Sequence, residues 1–410
     1  MYFKKHLSCG IEVIAEKLDN FRSCTIGVWV RAGSTTETEE ENGVSHFIEH
    51  MLFKGTEKRS AKQIAIDTDN IGGQVNAFTS KECTCYYIKA IDEKLEAAVE
   101  LLSDIFLHAT IDGEELEKER GVILEEIAMY NDTPDEVAHE IVSSAFFTGT
   151  PLQKTILGPA ENIRRFTRED LLAYKQKHYG VNNIVIAVAG HFDEQQLFDL
   201  LERYFCTDCL QKVSPVLQDL SSFTPQKHEV SAFRDIEQAH LCISLPGFSL
   251  KDNRRYALSI LNNLIGGSMS SLLFQSVREE RGLAYSVYSY PSSYATTGMF
   301  TVYAGTTLQN LGTVEQVIRT EMQKLRREKV TSGVFEQNKE QLKGSYVLAL
   351  ESTSARMNSI GKAVLLTGEV KTDDEVLALI DQVKIEECNA LLEELCDFDV
   401  ATTAVVSAQK

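Results

Sequence analysis

The chain has 410 residues, 43% of them hydrophobic and 25% charged, with a formal net charge of −19 and a pI near 5.0. That length exceeds what one hydrophobic core usually supports, so two domains are expected, and the balance excludes a disordered or fibrous chain. The acidity argues against a nucleic-acid or anionic-membrane surface, and no apolar run is long enough to span a bilayer.

No apolar stretch of the secretory kind follows Lys4 and Lys5. The nine cysteines are scattered and form no disulfide framework, which predicts a reducing, cytoplasmic setting. Cys206 and Cys209 make a lone CxxC with no second pair and no histidine ligands nearby. Cys83 and Cys85 alternate as filling along a strand.

In chain order, residues 11–15 and 24–30 alternate and are β-branched, the pattern of two paired strands. A loop over 33–41 follows, and Asn42 or Ser45 is placed to cap the next helix. That helix carries Val44, Phe47, Ile48, Met51 and Leu52 at helical spacing and stops at Gly55. Segments 72–80 and 84–88 predict a hairpin, and 95–107 an amphipathic helix. A long helical region from Gly113 to about Phe147 is broken between Asn131 and Pro134. A strand over 184–190 and a helix from Asp193 close the first half.

From Cys206 to His228 periodicity is lost, and Pro215, Pro225 and several serines mark a linker. The order then repeats: strand 241–245, helix 253–265, a Gly266-Gly267 turn, helix 270–280, strands 285–290 and 299–304, then long helices 314–328 and 334–349. Halves of similar length and content predict an internal duplication, with a first domain over 1–212, a linker over 213–228 and a second domain over 229–410.

The chemistry concentrates in His46-Phe47-Ile48-Glu49-His50. Residues four apart on a helix share a face, so both imidazoles can grip one metal ion, with Glu49 bordering the same face. Histidines on an ordinary polar helix face satisfy the same spacing without a metal. A catalytic zinc also needs a third protein ligand. The helix from Gly113 offers Glu119 and Glu126, seven apart on the face that carries Leu116, Ile123 and Tyr130. Acids on an apolar stripe are costly unless they are paired or bind a cation. Glu115 and Glu125 fall further round.

The run HFIEHMLFKGT resembles the zinc helix of the inverzincins, the HxxEH peptidases that include pitrilysin, insulysin and the mitochondrial processing peptidase. The chain is most similar to the short, bacterial, processing-peptidase-like type. In that family a glutamate about seventy-six residues after the second histidine is the third ligand, which falls on Glu126. The resemblance implies that His46, His50 and Glu126 hold one Zn²⁺ per chain, with Glu49 as general base and Glu119 as a further catalytic acid. Asn76, Ala77, Phe78 and Thr79 match the family's strand edge that pairs with a peptide substrate. Arg278 and Tyr285 match its substrate-contacting arginine and tyrosine. Glu136 and Glu140 match acids that receive a basic substrate side chain.

The implied fold is α+β: two homologous domains, each an antiparallel-rich mixed sheet flanked by helices, paired as a clamshell. The implied function is a zinc metalloendopeptidase that cleaves unstructured or presequence-like peptides in a closed chamber. A two-domain chain implies a dimer, either a homodimer or a pair with an inactive partner, with no role for nucleic acid or membrane. The competing reading is a non-catalytic core subunit or peptide-binding subunit of the same fold. Relatives of that kind have lost motif residues, whereas His46, Glu49, His50 and Glu126 are all present here.

Overall fold

Two β-sheets, one from each half of the sequence, organise the chain in this computed structural model, which describes residues 2–207, 209–215 and 218–408. The first sheet contains β1 (Tyr2–His6), β2 (Glu12–Lys17), β3 (Ser23–Val30), β4 (Gln74–Thr79), β5 (Thr84–Ile91) and β6 (Ile184–Gly190), in the order β1-β2-β6-β3-β5-β4. The expected pairing of β2 with β3 does not occur. β6 lies between them, parallel to β2 and antiparallel to β3, with Ile26 opposite Val188. Every residue of β6 is buried, so the strand needs a partner on each edge and cover on each face, which only a central position supplies. The β4–β5 hairpin forms as expected and leaves β4 at the sheet edge.

The second sheet contains β7 (His228–Phe233), β8 (Gln238–Pro246), β9 (Ala284–Ser293), β10 (Gly298–Thr307) and β11 (Thr402–Ser407), in the order β7-β11-β8-β10-β9. Leaving β1 aside, both sheets take the same path. The last strand of each half inserts beside the first as the one parallel pair, and the third ends at an edge. The duplication expected from the sequence is therefore visible in the topology.

The halves do not keep all their helices. Helix Thr353–Thr367, from the second half, packs on β2, β3 and β6, and helix Pro134–Phe146, from the first, packs on β7, β8 and β11. One compact unit accordingly comprises Met1–Ile127, Lys154–Leu217 and Ala349–Val370, and the other Ala128–Gln153, Gln218–Leu348 and Lys371–Lys410. The main crossing falls within the expected linker at 213–228, whose residues 216 and 217 lie outside the described residues. The two exchanged segments break the simple boundaries 1–212 and 229–410. The docking of helix Thr353–Thr367 has a local cause. Gly27 on β3 and Gly361 on helix Thr353–Thr367 leave room for Met357 and Trp29, and a Cβ at either glycine would collide with them. The Trp29 indole N–H then donates to Met357 Sδ at 3.2 Å, and the Thr25 and Thr353 hydroxyls meet at 2.8 Å.

The expected helix over 270–280 is also altered: residues Phe274–Glu279 form a single π-helical stretch. Among the described residues no helix is long and apolar enough to cross a membrane.

Candidate metal centre

Helix Val44–Leu52 buries Val44, Phe47, Ile48, Met51 and Leu52 in the core of the first unit, which leaves His46, Glu49 and His50 on its other side. Neither Asn42 nor Ser45 caps it. The N-cap is Gly43, at φ +103°, a conformation that favours glycine. The capping group comes from the preceding loop. The Gly43 and Ser45 amides each donate to the Glu37 carboxylate at 2.9 Å, as does Asn42 Nδ2. Burial pushes the Glu37 carboxyl up, while those hydrogen bonds act against it. The helix ends at Leu52, and Gly55 sits in the turn beyond it.

Helix Gly113–Asn131 supplies the opposing wall. Leu116, Glu119 and Ile123 are buried on one face, with Glu126 half-buried on the same face and Glu125 exposed. Glu126 Oε2 lies 3.6 Å from His46 Nε2 and 3.4 Å from His50 Nε2. One ligand atom from each of His46, His50 and Glu126 falls within 4.8 Å of the others. Two imidazole nitrogens and one carboxylate oxygen converging on one point are a donor set that fits a divalent transition metal.

The electrostatics agree with that use. Burial, and then the neighbouring His50, pull the His46 imidazole down to about 4, so the ring is neutral and its lone pair is available at ordinary pH. Burial also lowers His50, but its contacts with the Glu126 and Glu119 carboxylates outweigh burial and hold it above the usual histidine value. The His50 hydrogen bond, ahead of an opposing desolvation, holds Glu126 below the usual carboxylate range. Glu49 is pushed up, chiefly by burial, and accepts a short hydrogen bond from the Thr79 hydroxyl at the end of β4.

Glu119 stands elsewhere. Its Oε2 is 3.1 Å from His50 Nδ1, on the side of the ring away from Glu126, and its Oε1 is 2.6 Å from Lys54 Nζ. Both carboxylate oxygens are thereby engaged.

Two family models cover most of the chain. The model described as insulinase, peptidase family M16, matches residues 12–160, and the one described as peptidase M16 inactive domain matches 165–342. A Bacillus subtilis (strain 168) protein named uncharacterized zinc protease YmxG is 42% identical over 98% of both chains. The chain belongs to peptidase family M16. A Streptomyces coelicolor protein named uncharacterized zinc protease SCO5738 is 38% identical over 94% of this chain and 85% of its own. Among solved structures, a protease from Helicobacter pylori shares the fold with a TM-score of 0.91 at 20% identity, covering 99% of both chains. The inverzincin resemblance read from HFIEHMLFKGT is thus met at the level of the family.

The remaining expected residues divide between the two units. Asn76, Ala77, Phe78 and Thr79 lie on the edge strand β4, and Thr79 touches Glu49. Arg278 and Tyr285 come together in the second unit, with the guanidinium 5.5 Å from the Tyr285 ring and 4.7 Å from that of Phe274. Tyr285 is 79% exposed and lies on β9, the edge strand that corresponds to β4. Glu136 and Glu140 belong to helix Pro134–Phe146 in the second unit, outside the histidine cluster. With Asp135 they help burial push up the Tyr130 phenol, whose hydroxyl donates to the Glu136 carbonyl at 3.1 Å.

Three functional contacts were not read from the sequence: Glu37 at the helix cap, the Thr79 hydroxyl on Glu49, and Lys54 on Glu119. Lys54 did carry a signal, since it follows His50 by four residues. The other two arise from loop and strand segments with no fixed spacing to the motif. The CxxC pairs differently from its spacing: Cys206 Sγ lies 2.8 Å from Cys9 Sγ, and Asp208 is outside the described residues.

Proposed function

We propose that the chain is a zinc-dependent endopeptidase that cleaves extended, unstructured peptides. The observation that carries this is the convergence of His46 Nε2, His50 Nε2 and Glu126 Oε2, with Glu49 beside them and held by the sheet edge. The zinc protease names of the relatives at 42% and 38% identity support the choice of metal and of reaction class.

His46, His50 and Glu126 would hold the ion, one per chain. Zinc bound there supplies Lewis acidity, polarising a scissile carbonyl and lowering the pKa of water toward neutrality. Glu49 acts as general base: it takes a proton from the attacking water and returns it to the leaving amine. Its raised pKa brings it closer to the working pH, where a base of this kind is most effective. Thr79 fixes the carboxylate by donating to one oxygen, which leaves the other for the water. The free edge of β4 offers backbone N–H and C=O groups along which a peptide can add as a further strand, over Asn76 to Thr79. An extended chain presents those groups and a folded protein does not, which favours unstructured substrates. In this reading Arg278 and Tyr285 bind substrate, Glu136 and Glu140 favour a basic side chain near the cut, and the working form is a cytoplasmic homodimer.

The test is incubation of purified protein with a mixed peptide library, with cut sites read by mass spectrometry and metal content measured in parallel. The wild type should carry zinc and cleave. Glu49→Gln should keep the zinc and lose at least about a hundredfold in rate, the usual scale of a lost general base. Zinc without cleavage in the wild type would favour the peptide-binding subunit instead. Unimpaired cleavage by Glu49→Gln would overturn the base assignment. Size-exclusion chromatography should return twice the 45.9 kDa of one chain.

A further inference from the structure

Lys54 Nζ lies 2.6 Å from Glu119 Oε1, while Glu119 Oε2 lies 3.1 Å from His50 Nδ1. We infer that Lys54 is a positioning residue for the metal centre: it clamps the Glu119 carboxylate, which orients the His50 ring so that Nε2 faces His46 and Glu126. The inference rests on the zinc reading above and adds to it a residue that acts through Glu119 and His50.

The argument begins with the cost of Glu119. Its side chain is only 7% exposed, and a buried carboxylate is costly without a compensating cation. Lys54 is the lysine that meets it, from a side chain still 31% exposed. Glu119 is thereby fixed at one oxygen and can accept from His50 Nδ1 at the other. An imidazole has two nitrogens, and the hydrogen bond at one decides which lone pair is offered to a metal. With Nδ1 committed to Glu119, His50 presents Nε2, the atom 3.4 Å from Glu126 Oε2. His46 has no such support, for its buried Nδ1 has no hydrogen-bond partner. Orientation of the histidine pair therefore falls on His50.

The turn that carries Lys54 is built to hold its place. The Lys54 amide donates to the Met51 carbonyl at 3.1 Å, and the Gly55 carbonyl accepts from the Thr110 amide at 3.1 Å. The Thr56 amide donates to the Arg59 carbonyl at 2.8 Å, and its hydroxyl donates to the buried Asp104 at 2.7 Å. Gly55 adopts φ +131°, which keeps the turn tight directly after the lysine.

The experiment measures zinc dissociation constants of the full chain by competition with a chromogenic chelator. Lys54→Met, which keeps the apolar stem and drops the charge, should bind zinc about ten- to a hundredfold more weakly, the range seen when an outer-shell partner is lost. Lys54→Gln serves the same purpose should the methionine variant melt early. Lys54→Arg should recover most of the affinity, because a guanidinium can also clamp a carboxylate. Glu119→Gln should weaken binding too, and the double variant Lys54→Met/Glu119→Gln should bind no more weakly than Glu119→Gln alone. Wild-type affinity in both Lys54→Met and Lys54→Gln would overturn the assignment, as would additive losses in the double variant. His50→Ala serves as the control: if it retains zinc, the metal centre itself is wrong, whereas loss of zinc there with normal binding in the Lys54 variants refutes the positioning role alone.

Discussion

Glu37 shows how one loop carboxylate can set the start of the metal helix. It accepts from the Gly43 and Ser45 amides and from Asn42, so it replaces the side-chain cap that the helix lacks. Glu37→Ala should cost about 2 kcal/mol or more in urea unfolding, since a cap and two further bonds to a buried group are lost together. His178 makes a different kind of contribution. It is buried against Tyr174, with ring centroids 4.2 Å apart, and burial, followed by Lys177, pulls it down to about 4. A histidine with a folded pKa below its unfolded value near 6.5 takes up a proton on unfolding. Its neutral form therefore costs nothing above about pH 6.5, and stability falls as pH drops from there toward about 4. His178→Gln, which never titrates, should lose less of its melting temperature between pH 7 and pH 4.5 than the wild type. An equal loss in both would show that other groups govern acid sensitivity.

Among the elements, helix Thr353–Thr367 is the most exacting in its fit. Gly361 faces the Trp29 indole so closely that an added Cβ has no room, while Gly27 does the same opposite Met357. Gly361→Ala pits two effects against each other. Alanine improves helix propensity by about 0.5–1 kcal/mol, but overpacking a filled interface costs about 1–3 kcal/mol. The clash is with a fully buried indole that hydrogen-bonds Met357, so the second effect should win. A net loss of about 1 kcal/mol or more is expected by urea unfolding, and Gly27→Ala should behave alike. A stabilised Gly361→Ala would mean that the helix sits further from β3 than described. The two edge strands follow another rule: β4 and β9 hold equivalent places in their sheets, and both carry residues expected to meet substrate.

The whole chain is a duplicated fold whose halves each complete the other's sheet with one helix. This makes the first half incomplete alone, because residues 1–217 lack the helix that covers Thr25, Gly27 and Trp29. That fragment should expose an apolar sheet face, bind hydrophobic dyes and aggregate. Fusing residues 349–370 to it should restore a cooperative thermal transition, whereas a well-folded 1–217 fragment would contradict the exchange.

Periodic and spaced features were readable along the chain. HxxEH on an amphipathic helix, acids at 119 and 126 on one helical face, the β4–β5 hairpin and the repeated order of elements all depend on residues near one another or on a regular repeat. Helical and strand periods fix which side chains share a face, so those readings hold without knowledge of the rest of the molecule. Other features depend on which distant segments meet, and sequence spacing carries no record of that. Tertiary packing decided that β6 separates β2 from β3, because a strand buried throughout takes the centre of its sheet. It decided the exchange of helices Pro134–Phe146 and Thr353–Thr367, the second of which seats closely on the first sheet because glycines at 27 and 361 leave room for Met357 and Trp29. It also turned Glu119 toward Lys54 and the far side of His50, since a buried carboxylate settles where a cation and a hydrogen-bond donor converge.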